Sequence, residues 1–368
     1  MYKKLTLKNG LRLMIAPRHD TEAVTVMVFV PAGSRDERRD INGVSHLVEH
    51  LAFKGTARRP SSLVLTQELD RIGAEYNAYT SKDHTCYHIK AAAKHLELLF
   101  DILSDMVLHS TFTQESLDKE RGVIIEEINM YTDNPIMMVD GLFEESLFGT
   151  DHPLGWLISG PKSVIASINR DSVLGYLRQF YHPKHFVVSV SGHCTQRDVV
   201  ALARKYFTID GEAQKTPERF AFTVKQTAPR VKLHYKETEQ VQLCLGYPSI
   251  GYGHPDQYPL TLLSIILGGN MSSRLFINVR EQHGLAYFIK ASASAYHGAG
   301  AFVVQAGLDK ARLGQAIALI LQELNNVRDR GVTEEEVAAA KDFIEGKIIL
   351  ALEDSEHVAD WYGKQELL

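Results

Sequence analysis

The chain has 368 residues, of which 45% are hydrophobic and 23% charged, with a formal net charge of −5. That length suggests two or three domains with ample material for buried cores, in an ordinary globular composition. The acidic balance argues against nucleic acid as a partner, and no apolar run approaches the length of a membrane span.

The N-terminus, Met1-Tyr-Lys-Lys-Leu-Thr-Leu-Lys-Asn-Gly-Leu-Arg-Leu13, alternates as a strand and turns at Asn9-Gly10. It has neither the apolar run of a signal peptide nor the Arg/Ser-rich character of a transit peptide. The three cysteines, Cys86, Cys194 and Cys244, are scattered, with no metal spacing and no disulfide framework. Together these features read as a cytoplasmic protein in a reducing compartment. Residues 22–31 alternate as a further strand that ends at Pro31.

Gly43-Val-Ser-His-Leu-Val-Glu-His-Leu51 then reads as a helix carrying His46, Glu49 and His50 in an H-x-x-E-H pattern. His46 and His50 are one turn apart, so both imidazoles leave the same face, with Glu49 at its edge. Zinc takes imidazole nitrogen readily and needs a third protein ligand, and a neighbouring carboxylate can move the proton of a water molecule. Downstream, residues 85–91 alternate as a strand and residues 95–109 have helical period. His84 and His88 are also four apart, but on a strand they sit at different heights and are read as non-ligands. A long helix follows, capped by Thr113, and it carries three candidates for the third ligand: Glu120, Glu126 and Glu127. Spacing alone does not choose among them.

His185–Ser191 reads as a strand and Gln196–Phe207 as a helix. Residues 209–229 are polar and broken by proline, a linker. The second half then repeats the first: Val332-Thr-Glu-Glu-Glu-Val echoes Phe112-Thr-Gln-Glu-Ser-Leu. In that register Lys347 stands at the place of Glu127 and Ala340 at that of Glu120, and the second repeat has no H-x-x-E-H. Residues 1–208 are therefore expected to form a metal-bearing domain and residues 230–368 a homologous domain without metal. By the repeat, that second domain should run about 60 residues further than it does, leaving a sheet edge uncovered.

The pattern His46-x-x-Glu49-His50, followed by Glu120 and Glu127 in Glu-Arg-Gly-Val-Ile-Ile-Glu-Glu, resembles the pitrilysin and insulin-degrading family of inverted-motif zinc peptidases. Gly43, Leu51, Phe53-Lys-Gly-Thr56 and Asn77-Ala-Tyr-Thr80 match as well, and the likeness is strongest to the short-chain branch that includes mitochondrial processing peptidase. The resemblance implies an α+β fold of two homologous α/β-sandwich domains, mainly antiparallel sheet packed by helices, forming half of a clamshell. It implies Zn²⁺ held by His46, His50 and Glu127, with Glu49 as the base and Glu120 supporting the ligands. It further implies that Asn77 and Ala78 lie on a strand edge that pairs with an extended peptide substrate. Arg280 and Tyr287, seven apart, match a family pair that reaches the scissile carbonyl from the second half of the enzyme. With one bowl per chain, the partner is a second copy or a paralogous chain, in a homodimer or heterodimer. The expected activity is hydrolysis of extended or presequence-like peptides, and the alternative is a catalytically silent scaffold or peptide-binding subunit.

Overall fold

The computed structural model describes residues 2–209 and 211–368. They divide into two units: one formed by the chain up to Ile128, Trp156–Arg219 and Leu350–Leu368, the other by Asn129–Gly155 and Phe220–Ile349.

The first unit is built on six strands, β1 (Lys3–Thr6), β2 (Arg12–Pro17), β3 (Ala23–Val30), β4 (Glu75–Thr80), β5 (Thr85–Ala92) and β6 (Val187–Gly192). They lie in the order β1-β2-β6-β3-β5-β4. Only β2 and β6 run parallel; the other neighbours are antiparallel. The Asn9-Gly10 turn joins β1 to β2, with Gly10 at φ +85°, a conformation that glycine adopts without a Cβ clash. Residues 75–80, where only the family resemblance implies a strand edge, form β4, which ends the sheet.

β3 is a near-continuous apolar run because both of its faces are buried. Val24, Val26 and Val28 join Leu13, Ile15, Tyr87 and Ile89 under helices Val44–Ala52, Leu96–His109, Arg170–Phe180 and Gln196–Tyr206. Met27 and Phe29 face the other way, against Ala359 of the C-terminal helix Ser355–Leu367. That helix is pinned by hydrogen bonds from Ser189 Oγ to Ala359 O (2.6 Å) and between Thr25 and Ser355 (2.8 Å).

The second unit holds three antiparallel strands, β7 (Gln240–Ser249), β8 (Ala286–Tyr296) and β9 (Ala299–Asp309), in the order β7-β9-β8. Helices Gln257–Gly268 and Leu313–Arg330 accompany them, and Leu267, Phe276, Val304, Leu308, Ala316 and Ile320 form the core. Helix Pro135–Phe148 also belongs to this unit, tied by Tyr296 Oη to Glu144 (2.6 Å) and Gln305 Nε2 to Ile136 O (3.0 Å).

The internal repeat has a three-dimensional form. The order β3-β5-β4 recurs as β7-β9-β8, and each hairpin leads through a single 3₁₀ turn into a helix and then a threonine-capped second helix. Thr113 accepts from Ser116 N (3.2 Å), and Thr333 accepts from Glu336 N (3.2 Å). The helix that comes next does not return to its own sheet. Pro135–Phe148, from the first repeat, lies in the second unit, while Ser355–Leu367, from the second repeat, lies in the first. Their contacts are complementary. Phe29 of β3 fills the place a side chain at Gly363 would take, and Phe143 does the same at Gly246 of β7. Large and small residues have changed sides between strand and helix, which conserves the packed volume.

The spatial units therefore differ from the sequential boundaries expected at residues 208 and 230. A period-based reading assigns a helix to its nearest sheet, and these two helices are exchanged. The irregular stretch is also longer than residues 209–229: between Tyr206 and Gln240 the described residues form neither helix nor strand. Within it Val231, Leu233 and Tyr235 alternate as a strand would, yet each is more than 80% exposed. Arg230 donates to Ser146 O (3.1 Å) much as Arg12 of β2 donates to Glu366 O (3.2 Å) in the first unit. In the first unit β6 lies beside β2; among the described residues of the second unit no strand takes that place.

Candidate metal centre

Helix Val44–Ala52 buries Val44, Leu47, Val48 and Leu51 in the core. With this spacing of three and four, the opposite face carries His46, Glu49 and His50. The start of the helix is fixed by two devices. Gly43 sits at φ +100°, and a Cβ there would meet Ser159 O at 2.6 Å. Glu37, buried, gathers the donors of the helix entry: Asn42 Nδ2 (2.8 Å), Gly43 N (2.7 Å), Ser45 N (2.8 Å) and the Ser45 hydroxyl. It satisfies amides that the first helical turn leaves without partners. Burial pushes the Glu37 carboxyl up to about 7, against the pull of these hydrogen bonds.

Replacing Glu37 by alanine would leave several buried donors unsatisfied next to His46. We expect a loss of about 3 kcal/mol in stability, at 1–3 kcal/mol for each unsatisfied group after partial relaxation. Urea unfolding measures it, and an unchanged midpoint would remove Glu37 from this role. Sequence reasoning missed Glu37, since no spacing rule links it to residues 42–45.

Helix Gln114–Asp133 turns Leu117, Glu120, Ile124 and Ile128 inward, and Glu127 lies at the edge of that stripe. The ligand atoms of His46, His50 and Glu127 lie within 4.8 Å of one another. Glu127 Oε2 is 3.6 Å from His46 Nε2 and 3.4 Å from His50 Nε2. Ligands bonded to zinc at about 2.0–2.1 Å with tetrahedral angles stand roughly 3.4 Å apart. Two imidazole nitrogens and one carboxylate oxygen at these separations therefore fit that ion. Glu126 is exposed and stands outside the group. His84 and His88 are not among the metal-ligand groups found in the described residues.

The other nitrogen of His50, Nδ1, faces Glu120 Oε2 at 3.2 Å, and Lys54 Nζ holds Glu120 Oε1 at 2.9 Å. A carboxylate behind an imidazole fixes its tautomer and leaves Nε2 free to bind. His46 Nδ1 is buried without a hydrogen-bond partner among the described residues. Burial pulls His50 down, but its hydrogen bonds to Glu120 and Glu127 and the charges of Glu49 and Glu127 outweigh burial and raise it to about 9. Burial, and then the charge of His50, take His46 down to about 4. A metal ion bound at His50 Nε2 would have to compete with a proton there, so metal binding at this site should release protons and strengthen as pH rises.

Glu49 accepts a hydrogen bond from Thr80 Oγ1 at 2.5 Å. Burial raises its carboxyl, and the Thr80 bond opposes the rise. Asn77 and Ala78 lie on β4, whose only described strand neighbour is β5. Asn77 is exposed, and its Oδ1 accepts from Ala78 N at 2.9 Å. Arg280 and Tyr287 belong to the second unit. Arg280 lies in a π-helical turn, Phe276–Gln282, with its guanidinium 4.6 Å from the Phe276 ring centroid. Tyr287 is 74% exposed near the start of β8.

Comparison with known proteins places the chain in a family. Residues 13–155 match the model described as insulinase (peptidase family M16), and residues 167–343 match the peptidase M16 inactive domain. A Bacillus subtilis protein named uncharacterized zinc protease YmxG is 36% identical, over 100% of this chain and 88% of its own length. The chain belongs to peptidase family M16. A Streptomyces coelicolor M16 relative, also named an uncharacterized zinc protease, is 34% identical over 99% of this chain and 80% of its own length. The crystal structure of a protease from Helicobacter pylori superposes with a TM-score of 0.92 at 26% identity, covering 100% of this chain and 89% of that one. An M16 inactive domain from Pseudomonas fluorescens shares the fold, with a TM-score of 0.85 at 18% identity, covering 99% of this chain and 87% of its own. The inactive-domain match takes in Ala340, the position that the repeat pairs with Glu120, and Ala340 is buried as Glu120 is. No described helix of this M16 chain is long and apolar enough to cross a membrane.

Proposed function

We propose that this M16 chain is a zinc-dependent endopeptidase acting on extended peptides. The observation that carries the reading is the convergence of His46, His50 and Glu127, with Glu49 beside them and Glu120 behind. His46 Nε2, His50 Nε2 and a Glu127 oxygen would hold the ion. A bound zinc ion supplies Lewis acidity toward a water molecule and the scissile carbonyl. Glu49 takes the proton that the attacking water gives up and returns it to the leaving amine. Glu120 keeps the His50 ring in register, and Lys54 balances the charge of Glu120.

The free edge of β4 suits a substrate that adds a strand, with Asn77 and Ala78 meeting the peptide backbone near the scissile bond. Main-chain pairing of that kind gives affinity with little sequence preference. Presequence-like segments are the substrate class, by the resemblance to processing peptidases. Arg280 and Tyr287 of a second copy, or of a paralogous partner, would donate to the developing oxyanion. On the second unit Tyr287 is exposed and Arg280 half-buried against Phe276, and both would have to reach the partner's site in that role.

The test is cleavage of a quenched, unstructured peptide with and without a zinc chelator, across a dilution series of the protein. We expect chelator-sensitive cleavage whose specific activity falls on dilution. Cleavage indifferent to the chelator would sink the metal assignment, and activity constant on dilution would sink the shared site. No cleavage despite stoichiometric zinc would favour the catalytically silent alternative.

A further inference from the structure

We propose that Thr80 is a positioning residue for Glu49: its hydroxyl binds one carboxylate oxygen so that the other meets the proton in flight. The inference deepens the peptidase reading and rests on it. Thr80 Oγ1 lies 2.5 Å from Glu49 Oε2, while Glu49 Oε1 has no hydrogen-bond partner among the described residues. A carboxylate fixed at one oxygen keeps its plane and presents the other in one direction. Thr80 is β-branched and stiff about χ1, so the direction of its hydroxyl is set by its backbone.

That backbone is itself held firmly. Thr80 closes the ladder between β4 and β5 opposite Thr85. The turn beyond it is locked by Ser81 N to His84 O (2.8 Å), and from outside by Ser34 N to Ser81 O (3.1 Å) and Arg35 N to Lys82 O (2.9 Å). Gly33 packs so close to this turn that a Cβ would stand 2.2 Å from Ser81 O. The base is therefore gripped by the strand that also carries Asn77 and Ala78. A peptide that pairs with β4 stiffens the element that aims Glu49, and this links substrate pairing to catalysis.

Two substitutions test the assignment. Thr80→Val keeps the shape and removes the donor; Thr80→Ser keeps the donor. For Thr80→Val we expect kcat to fall about 10–100-fold, the effect of a small misplacement of a reacting group, with KM and zinc content unchanged. Thr80→Ser should restore kcat to within a few fold of wild type. A readout independent of turnover uses metal-free protein. The infrared difference spectrum of each protein against its Glu49→Gln counterpart isolates the Glu49 carboxylate band. That band should shift in Thr80→Val and hold in Thr80→Ser. An unmoved band, an unchanged kcat, a rise confined to KM, or no rescue by serine would overturn the proposal. Wild-type protein without chelator-sensitive cleavage would instead overturn the peptidase reading. The two failures are distinguishable, because the infrared comparison does not depend on catalysis.

Discussion

Replacing Glu49 by glutamine should abolish peptide hydrolysis and leave zinc in place, on the proposed reading of the site. Glutamine keeps the length of the side chain and can still accept the Thr80 hydroxyl through its amide oxygen. It cannot accept a proton at neutral pH, so only the acid–base step is lost, a contribution of about 10²–10⁴-fold in rate. The ligand set is untouched, since Glu49 stands outside the group formed by His46, His50 and Glu127. The measurements are turnover of a quenched peptide together with metal stoichiometry by elemental analysis. Full activity in Glu49→Gln would remove the assigned base, and loss of zinc would show that Glu49 serves the metal instead.

Substitution of Glu127 should have the opposite signature, with activity and metal lost together. In the proposed ligand set Glu127 is the one oxygen donor, and it stands 3.4 Å from His50 Nε2. Glu127→Ala leaves two imidazoles, fewer than the three protein ligands of a catalytic zinc site. The companion change Glu120→Gln weakens a supporting contact only, which typically costs 10–100-fold in metal affinity. We expect Glu127→Ala to lose more affinity than Glu120→Gln by at least about tenfold, and to be inactive at any zinc concentration that keeps the protein soluble. Competition with a chromophoric chelator measures both. Equal losses for the two variants would mean that their roles are not distinct.

The sequence displayed these glutamates unequally. The H-x-x-E-H segment was legible from periodicity alone, because a nine-residue helix with Val44, Leu47, Val48 and Leu51 inward must place His46 and His50 together outside. The third ligand was not, since Glu120, Glu126 and Glu127 all sit on one helix and only packing separates them. Glu120 takes a place in the buried stripe between Leu117 and Ile124, and a hydropathy pattern marks such a place for an apolar residue. The roles of Thr80 and Glu37 were not legible for a different reason: Thr80 reaches a distant residue through one hydroxyl and Glu37 a nearby helix entry through one carboxylate, and no spacing rule predicts either contact. The strands β3 and β5 appeared where their alternation placed them. β4 was marked by the resemblance and not by its alternation, because Glu75 and Asn77 on its exposed positions look like turn residues. The threonine caps at Thr113 and Thr333 stand in the register of the repeat, but no one-dimensional pattern reveals that a helix has left its own sheet.

That exchange of helices bears on how the chain responds to proteolysis. The described residues between Tyr206 and Gln240, outside any helix or strand, form the kind of segment a protease cuts first. Cleavage there would not yield two independent fragments. Each piece would carry away a helix that covers a face of the other's sheet, so separation would expose Met27 and Phe29 in the first fragment and Ala299 and Ala301 in the second. A nicked molecule should travel as one body until it is denatured. By the same logic, neither half expressed alone has what it needs to close its own core, so the duplicated halves are bound to persist as a pair.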